Sequence, residues 1–159
     1  MTIRVLLADD HQVTREGIRT ILEGAPDIEV VGEAMNGVEA QELADRLRPD
    51  VLLLDLHMPG PRSSEIAAWV RSRCPETTTL VLTAHDIDAY LDAMIEAGAA
   101  GFVVKKEVQQ RIVDAIRRAA QGVIFFTKEQ RSRAQHWREE VGRRWDSLTE
   151  RERNVLRLL

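Results

Sequence analysis

The feature that most restricts the fold is a series of five short β-rich runs within the first 122 residues. Most of them are continuously apolar rather than alternating, as a sheet covered on both faces requires. We therefore predict buried parallel strands. Their predicted positions are Ile3–Ala8, Ile28–Val31, Val51–Leu54, Leu80–Leu82 and Gly101–Val104.

Amphipathic stretches separate these runs and carry signals for where helices begin and end. Asn36 is suited to cap a helix, Pro49 prevents continuation of that helix, and Gly98 and Gly122 follow two later ones. Alternating strands and helices predict an α/β domain over residues 1–122, with a doubly wound five-stranded parallel sheet. The predicted helices are Val13–Glu23, Gly37–Leu47, a helix capped by Ser63 or Ser64 that runs to about Val70, Asp86 or Asp88 to Ala97, and Val108–Ala120.

Polar side chains follow four of the predicted strands directly. They are Asp9 and Asp10, then Asp55, Thr83 and Lys105. Because ligands bind outside the carboxyl ends of parallel strands, we expect these residues to line one cleft. Three carboxylates favour Mg²⁺ over Zn²⁺. An aspartate can attack phosphorus, and the lysine and threonine side chains would then hold the transferred phosphoryl oxygens.

The order and spacing of these motifs resemble the receiver domain of two-component response regulators across residues 1–122. The matching segments are Asp9-Asp10, Asp55-Leu56-His57-Met58-Pro59-Gly60, Thr83-Ala84 and Lys105. The resemblance implies a flavodoxin-like sheet with strand order 2-1-3-4-5. It also implies a signalling switch rather than an enzyme, with a sensor histidine kinase as its partner.

The resemblance further implies a role for individual residues. Asp55 would accept the phosphoryl group. Mg²⁺ would be bound by Asp9, Asp10, Asp55 and the backbone carbonyl of His57. Thr83 and Lys105 would follow the phosphoryl charge, and Phe102 would be an aromatic switch.

The sequence departs from the common receiver pattern at two positions. Lys106 follows Lys105 where many receivers have proline, so we expect a trans peptide bond there. Ser63 stands eight residues after Asp55, where many receivers have glycine. We expect this second departure to change the shape of the loop after Asp55.

Two other classes of protein stay open at this point. A haloacid-dehalogenase-type phosphohydrolase also uses an aspartate after a parallel strand, but it has Asp-x-Asp after the first strand, whereas His11 stands there. A pseudo-receiver would act only as an interaction module. The four histidines lack metal-type spacing, so we interpret them as loop or surface residues: His11, His57, His85 and His136.

The tail differs from the first part in charge and pattern. Residues 1–122 carry 13 basic and 20 acidic side chains, a net charge of −7, whereas residues 123–159 carry 9 and 6, a net charge of +3. We predict a linker over residues 123–146, with a charged helix at Lys128–Arg144 capped by Thr127 and a weak apolar stripe at Ala134, Trp137 and Val141.

Residues 147–159 resemble the opening of the helix-turn-helix domain of NarL/FixJ-type (LuxR-type) regulators. Thr149 and Glu152 form a predicted capping box, and Leu148, Val155, Leu156 and Leu159 share one face. DNA recognition of this kind needs a second helix, which these residues do not supply. We therefore expect a truncated form without specific DNA binding of its own, derived from a full-length parent that binds DNA and forms a homodimer on activation.

Two general features bear on where the chain resides. No run approaches the roughly 20 apolar residues of a membrane helix. A single cysteine, Cys74, excludes an internal disulfide and suits a reducing compartment. We expect a cytoplasmic protein without a membrane contact.

Overall fold

The computed structural model describes residues 1–84 and 88–157. Within these residues five strands alternate with helices, and two further helices follow. The strands are β1 (Ile3–Ala8), β2 (Ile28–Ala34), β3 (Val51–Asp55), β4 (Thr78–Thr83) and β5 (Gly101–Val104). The helices are α1 (Gln12–Glu23), α2 (Gly37–Leu47), α3 (Ser63–Arg73), α4 (Asp88–Glu96), α5 (Val108–Ala120), α6 (Lys128–Asp146) and α7 (Glu150–Arg157), with a 3-10 turn at Lys105–Glu107.

The five strands form one parallel sheet in the order β2-β1-β3-β4-β5, which confirms the predicted fold class. The register places Ala8 beside Leu54, Asp55 beside Leu82, and Thr83 beside Val104. The carboxyl ends of β1, β3, β4 and β5 therefore lie side by side at one edge of the sheet.

Side chains of each strand alternate between two cores. In β1, Val5 and Leu7 belong to the core under α1 and α5, whereas Leu6 and Ala8 belong to the core under α2 and α3. The Val51–Leu54 run of the central strand is fully buried, which is why its sequence is apolar without alternation.

Strand β2 is longer than its sequence predicts. It continues through Gly32, Glu33 and Ala34, which pair with Leu6, Leu7 and Ala8 of β1 after a register shift. Glycine and glutamate are poor strand formers, so pairing with the neighbouring strand overrides local preference here. Gly32 also suits its position, since a Cβ atom there would lie 2.9 Å from the Leu47 side chain.

The start of α3 differs from the prediction that a serine caps it. Arg62 occupies the cap position, and Ser63 is the first helical residue. The Ser63 hydroxyl lies 3.0 Å from the carbonyl oxygen of Asp55 and 2.9 Å from that of Leu56. The serine therefore ties the loop after β3 back to the strand end. The described residues contain no cis peptide bond, so Lys105–Lys106 is trans as expected.

Helix α6 packs against α4. This packing gives the weakly amphipathic helix a partner surface. Ala134 is buried, whereas Val141 is exposed. Arg133 Nε donates to Asp88 Oδ1 at 2.8 Å, and Arg138 Nε donates to Asp92 Oδ1 at 2.9 Å. Arg138 also contacts Glu96 Oε1 at 2.5 Å. We refer to these ion pairs and the buried alanine as the α4–α6 contact.

Both tail helices begin at reciprocal caps. The Gln130 N–H donates to Thr127 Oγ1 and the Thr127 N–H donates to Gln130 Oε1, at 3.0 and 2.9 Å. Thr149 and Glu152 form the predicted capping box at the start of α7, and Val155 on that helix is exposed.

Several predicted positions lie outside the described residues. They are Asp86 as a possible helix start, His85 as a loop or surface histidine, and Leu159 on the apolar face of the tail. The side chain of Leu156 on that face is not described either. In the described part of the chain, no helix has the length and apolar character needed to cross a bilayer.

Candidate functional site

The sheet edge brings the predicted site residues together because each follows or ends a neighbouring parallel strand. Asp9 follows β1, Asp55 ends β3, Thr83 ends β4, and Lys105 follows β5. Asp9, Asp55 and Thr83 are buried, with 0%, 1% and 0% of their surfaces exposed, whereas Asp10 is exposed. The site is therefore a cleft with a buried floor and an acidic rim.

Lys105 lies between two buried carboxylates. Its Nζ atom is 3.1 Å from Asp9 Oδ2 and 3.4 Å from Asp55 Oδ1. One ammonium group thus faces two acids, so the three side chains leave a net negative charge in a largely water-excluded place. An unbalanced buried charge of this kind is costly unless a further cation compensates it.

The pKa shifts follow from this arrangement. Burial raises the pKa of Asp55 above its ordinary value, and the negative charge of Asp9 raises it further, although Lys105 and the His57 backbone N–H act in the opposite direction. Burial lowers the pKa of Lys105, but its contacts with Asp9 and Asp55 outweigh burial and leave the pKa above its ordinary value. Lys105 is therefore a fixed positive charge at neutral pH.

The carboxylates have unused oxygen atoms that point to a cation. Among the described residues, no group donates a hydrogen bond to Asp55 Oδ2, and the contact given for Asp9 Oδ2 is the Lys105 ammonium at 3.1 Å. One potential ligand atom from each of Asp9, Asp10, His11 and Asp55 lies within 4.8 Å of the others. We call Asp9, Asp10 and Asp55 the acid cluster; its oxygens are the ligand type that a hard divalent cation requires.

The other predicted site residues lie around this cluster. His57 follows β3 by two residues, and its exposed ring contacts Tyr90 of α4 edge-on, with centroids 5.2 Å apart. Phe102, in the middle of β5, is 6% exposed and packs edge-on against Phe126 of the tail, with centroids 5.6 Å apart. The position of the Phe102 ring is thus linked to the segment that leads into α6.

Two residues near the cluster escaped the sequence analysis. Arg15 is buried, and its Nη1 donates to the Asp9 carbonyl at 2.6 Å, while Glu33 lies 3.5 Å from its Nε. The available signal was a basic residue on the apolar face of α1, in line with Ile18 and Leu22. A charge on that face indicates a buried polar partner.

The second residue is His11, which the sequence analysis interpreted only as a loop or surface residue. Its side chain is 65% exposed, but Nδ1 lies 3.0 Å from Asp10 Oδ1 and 3.3 Å from Asp9 Oδ1. The three residues are adjacent in sequence, so a search for the usual spacing between metal ligands does not find them. His136 is an exposed residue of α6, as expected for a surface histidine.

The fold and site define a class of protein, and comparison with known families agrees with it. Residues 5–117 match the model of the response regulator receiver domain. The chain belongs to this family, whose members are signalling domains of two-component systems.

The relatives narrow the class to the NarL/LuxR group of response regulators. The transcriptional regulatory protein YxjL of Bacillus subtilis is 40% identical over 124 residues, which are 78% of this chain and 57% of that protein. The response regulator protein VraR of Staphylococcus aureus is 33% identical over 159 residues, which are 100% of this chain and 76% of VraR. The chain thus spans little more than half the length of the first relative.

A solved structure supports the same assignment. The signal receiver domain of NarL from Mycobacterium tuberculosis is 40% identical and superposes with a TM-score of 0.73. The match covers 76% of this chain and 98% of that domain. The receiver fold therefore accounts for the first three quarters of the chain.

The raised pKa of Asp55 predicts that Asp55→Asn stabilises the protein in the absence of divalent cations. Because the ionised Asp55 carboxylate opposes folding, the stabilisation produced by Asp55→Asn is complete above the pKa of Asp55 in the folded protein. The stabilisation decreases as the pH falls toward 3.8, the ordinary pKa of aspartate, below which Asp55 is protonated in both the folded and the unfolded protein. We expect a gain on the order of 1 kcal/mol at pH 7 in urea unfolding, the scale of one poorly compensated buried charge.

The exposed Asp114→Asn variant is the matched control, because Asp114 lies on α5 away from the cluster. Its free energy of unfolding should change little at any pH. An Asp55→Asn variant that is less stable than the wild type at pH 7, with EDTA present, would contradict the electrostatic interpretation of the site.

Proposed function

We propose that this protein is a phosphorylation-dependent switch in which Asp55 accepts a phosphoryl group from a sensor histidine kinase. The observation that carries the proposal is the position of Lys105, whose ammonium lies within 3.4 Å of the buried carboxylates of both Asp9 and Asp55. The acid cluster supports a cation beside that lysine. This is the charge arrangement that phosphoryl transfer to a carboxylate needs.

The proposed transfer is an in-line displacement at phosphorus. A carboxylate oxygen of Asp55 forms a bond to the phosphorus of phosphohistidine, and the P–N bond breaks. The electron pair of that bond returns to the imidazole ring of the kinase. The product is an aspartyl phosphate, which carries about 1.5 to 2 negative charges in place of the single carboxylate charge.

Mg²⁺ fits the acid cluster because all its ligands are oxygen atoms. We assign Asp9, Asp10, Asp55 and the backbone carbonyl of His57 as the residues that hold it. When bound, Mg²⁺ neutralises negative charge on the phosphoryl oxygens. The protein supplies the rest: Lys105 and the Thr83 hydroxyl hold the transferred phosphoryl oxygens, and the buried floor excludes water.

We further propose that the phosphoryl charge is transmitted through Thr83 and Phe102 to the tail. A movement of Thr83 toward the phosphoryl group would leave space into which the buried Phe102 ring could turn. That turn would remove the edge-on contact between Phe102 and Phe126. The α4–α6 contact would then lose support at the end where the tail leaves the receiver domain, so α6 would separate from α4 more easily.

The proposed organisation assigns residues 1–122 to the receiver domain and residues 123–146 to a linker. Residues 147–159 would be the start of a helix-turn-helix domain, and α7 with its capping box supports this assignment. Release of α6 would change how an attached DNA-binding domain is held and would permit dimerisation. YxjL is a transcriptional regulatory protein, which favours control of transcription as the output.

The phosphorylation proposal is tested by intact mass after incubation with acetyl phosphate and Mg²⁺. We expect one added phosphoryl group in the wild type and none in Asp55→Asn, because only Asp55 combines burial with the cation and Lys105. EDTA should prevent the addition. Asp114→Asn serves as the matched carboxylate control and should be labelled like the wild type. A folded wild type that gains no phosphoryl group would favour the pseudo-receiver alternative.

The transmission proposal is tested by hydrogen exchange with and without phosphorylation. Phosphorylation should accelerate exchange in α6 at least about tenfold, which corresponds to roughly 1.4 kcal/mol of lost local stability. Arg138→Gln, which removes the contacts with Asp92 and Glu96, should produce part of this acceleration without phosphorylation. Arg143→Gln is the control, since Arg143 pairs within α6, with Glu140. Unchanged α6 protection in the phosphorylated protein would refute the transmission route.

A further inference from the structure

Arg15 holds the main chain between the first two acids of the acid cluster. It lies near the start of α1 and is buried although it carries a charge. Its Nη1 atom donates to the carbonyl oxygen of Asp9 at 2.6 Å. That carbonyl belongs to the peptide group that joins Asp9 to Asp10, and a peptide group is planar. The arginine therefore fixes the orientation of the main chain on which both acids are carried.

Two more hydrogen bonds support Asp9 from other sides. The Asp9 N–H donates to the carbonyl oxygen of Ala34 at 3.0 Å, and Asp9 Oδ1 accepts from the His11 N–H at 2.8 Å. With these groups engaged, Asp9 Oδ2 lies 3.1 Å from the Lys105 ammonium. Loss of Arg15 would free the Asp9 carbonyl and let the peptide group rotate, so the direction of the carboxylate depends on a residue that does not touch it.

Glu33 supports Arg15 from the neighbouring strand. Its Oε1 atom lies 3.5 Å from Arg15 Nε, and its Oε2 atom lies 2.7 Å from Nη2 of Arg19, one turn further along α1. Glu33 precedes Ala34 in the part of β2 that follows the register shift. The extension of β2 therefore brings a carboxylate beside the guanidinium, and side chains connect β2 through Arg15 to the Asp9 carbonyl.

A guanidinium group suits this position because its planar set of donors serves two acceptors in fixed directions. One acceptor of Arg15 is an uncharged carbonyl, and the other is the Glu33 carboxylate, whose charge balances that of the arginine. Arg15 can therefore orient the acids without cancelling the negative charge that attracts a cation to them. A lysine has a single ammonium on a flexible stem, so it does not reproduce this pair of contacts.

We propose that Arg15 is a positioning residue, which acts through the Asp9 carbonyl to hold Asp9 and Asp10 in the orientation that binds Mg²⁺. The inference deepens the proposed function and rests on it for the identity of the ion. Removing a group that orients metal ligands typically costs roughly 10- to 100-fold in metal affinity. An arginine that only stabilised the fold would change the free energy of unfolding and leave the Mg²⁺ affinity of the folded protein unchanged.

The first test is the Mg²⁺ affinity of the full chain, measured by calorimetric titration without a phosphoryl donor. We expect Arg15→Met to weaken Mg²⁺ binding by about tenfold or more, and Arg15→Lys to weaken it by a smaller factor. Arg19→Met is the matched control, because Arg19 contacts Glu33 but has no contact with Asp9. Its affinity should stay within about twofold of the wild type, since its ion pair is partly exposed. Wild-type affinity in Arg15→Met, or an equal loss in Arg19→Met, would overturn the proposal.

A second measurement needs no metal. The His11 N–H donates to Asp9 Oδ1, so its hydrogen exchange in EDTA reports whether the Asp9 carboxylate keeps its orientation. We expect exchange of this amide to be about fivefold faster in Arg15→Met, the factor that corresponds to one hydrogen bond, and unchanged in Arg19→Met. The amide of Ile116, buried on α5, is the internal reference. Equal acceleration of both amides would indicate a general loss of stability and would overturn the positioning role.

The outcomes separate this inference from the proposed function. A wild type that binds Mg²⁺ but gains no phosphoryl group from acetyl phosphate would refute the proposed function, whereas a weaker Mg²⁺ affinity in Arg15→Met alone would still support the role of Arg15. A normally phosphorylated wild type, beside an Arg15→Met variant with wild-type Mg²⁺ affinity and wild-type exchange at His11, would refute the role of Arg15 and leave the proposed function standing.

Discussion

The interaction on which the structure depends most is the contact of Lys105 with the buried carboxylates of Asp9 and Asp55. Three strands end at this point, and their side chains carry two negative charges against one positive charge in a place with little water. Replacing these groups with apolar residues would remove that electrostatic cost. The uncompensated charge is what gives the cleft affinity for a cation and, in the proposed function, for a phosphoryl group held by that cation and Lys105.

The same sheet edge is connected to the tail through side chains rather than through the main chain alone. Phe102 lies on β5 near Lys105 and contacts Phe126 of the tail. Helix α6, which follows Phe126, lies along α4 and is held there by arginine–carboxylate pairs. Exposed ion pairs contribute little individually. The α4–α6 contact is therefore specific in geometry but modest in stability, as the proposed switch requires of the element that it shifts.

The fold and the composition of the cleft follow from the sequence for a simple reason. Asp9, Asp55, Thr83 and Lys105 each end or follow an apolar run, and parallel strands bring such residues to one edge. Contacts between distant elements do not follow in the same way. The pairing of Arg133 with Asp88, 45 residues away, depends on how α6 lies on α4, and local sequence periodicity does not encode that angle.

The contacts of some residues near the cleft also do not follow from local sequence patterns. Arg15 lies on the apolar face of α1, and its role becomes evident only when the Asp9 carbonyl is found beside it. The contacts of His11 with Asp9 and Asp10 are not visible as a spacing pattern, because these residues are adjacent in sequence and the turn into α1 brings the His11 ring back to their carboxylates. Ser63 has the residue type of a helix cap, but its hydroxyl contacts the strand-end carbonyls of Asp55 and Leu56.

The most direct measurement of the central claim is to locate the transferred phosphoryl group by chemical reduction. Sodium borohydride converts an aspartyl phosphate to homoserine, which peptide mass spectrometry identifies by position after treatment with acetyl phosphate and Mg²⁺. The account predicts homoserine at position 55 and at no other aspartate. Homoserine at Asp9 or Asp10, or a phosphoryl group found on His57 instead, would contradict it.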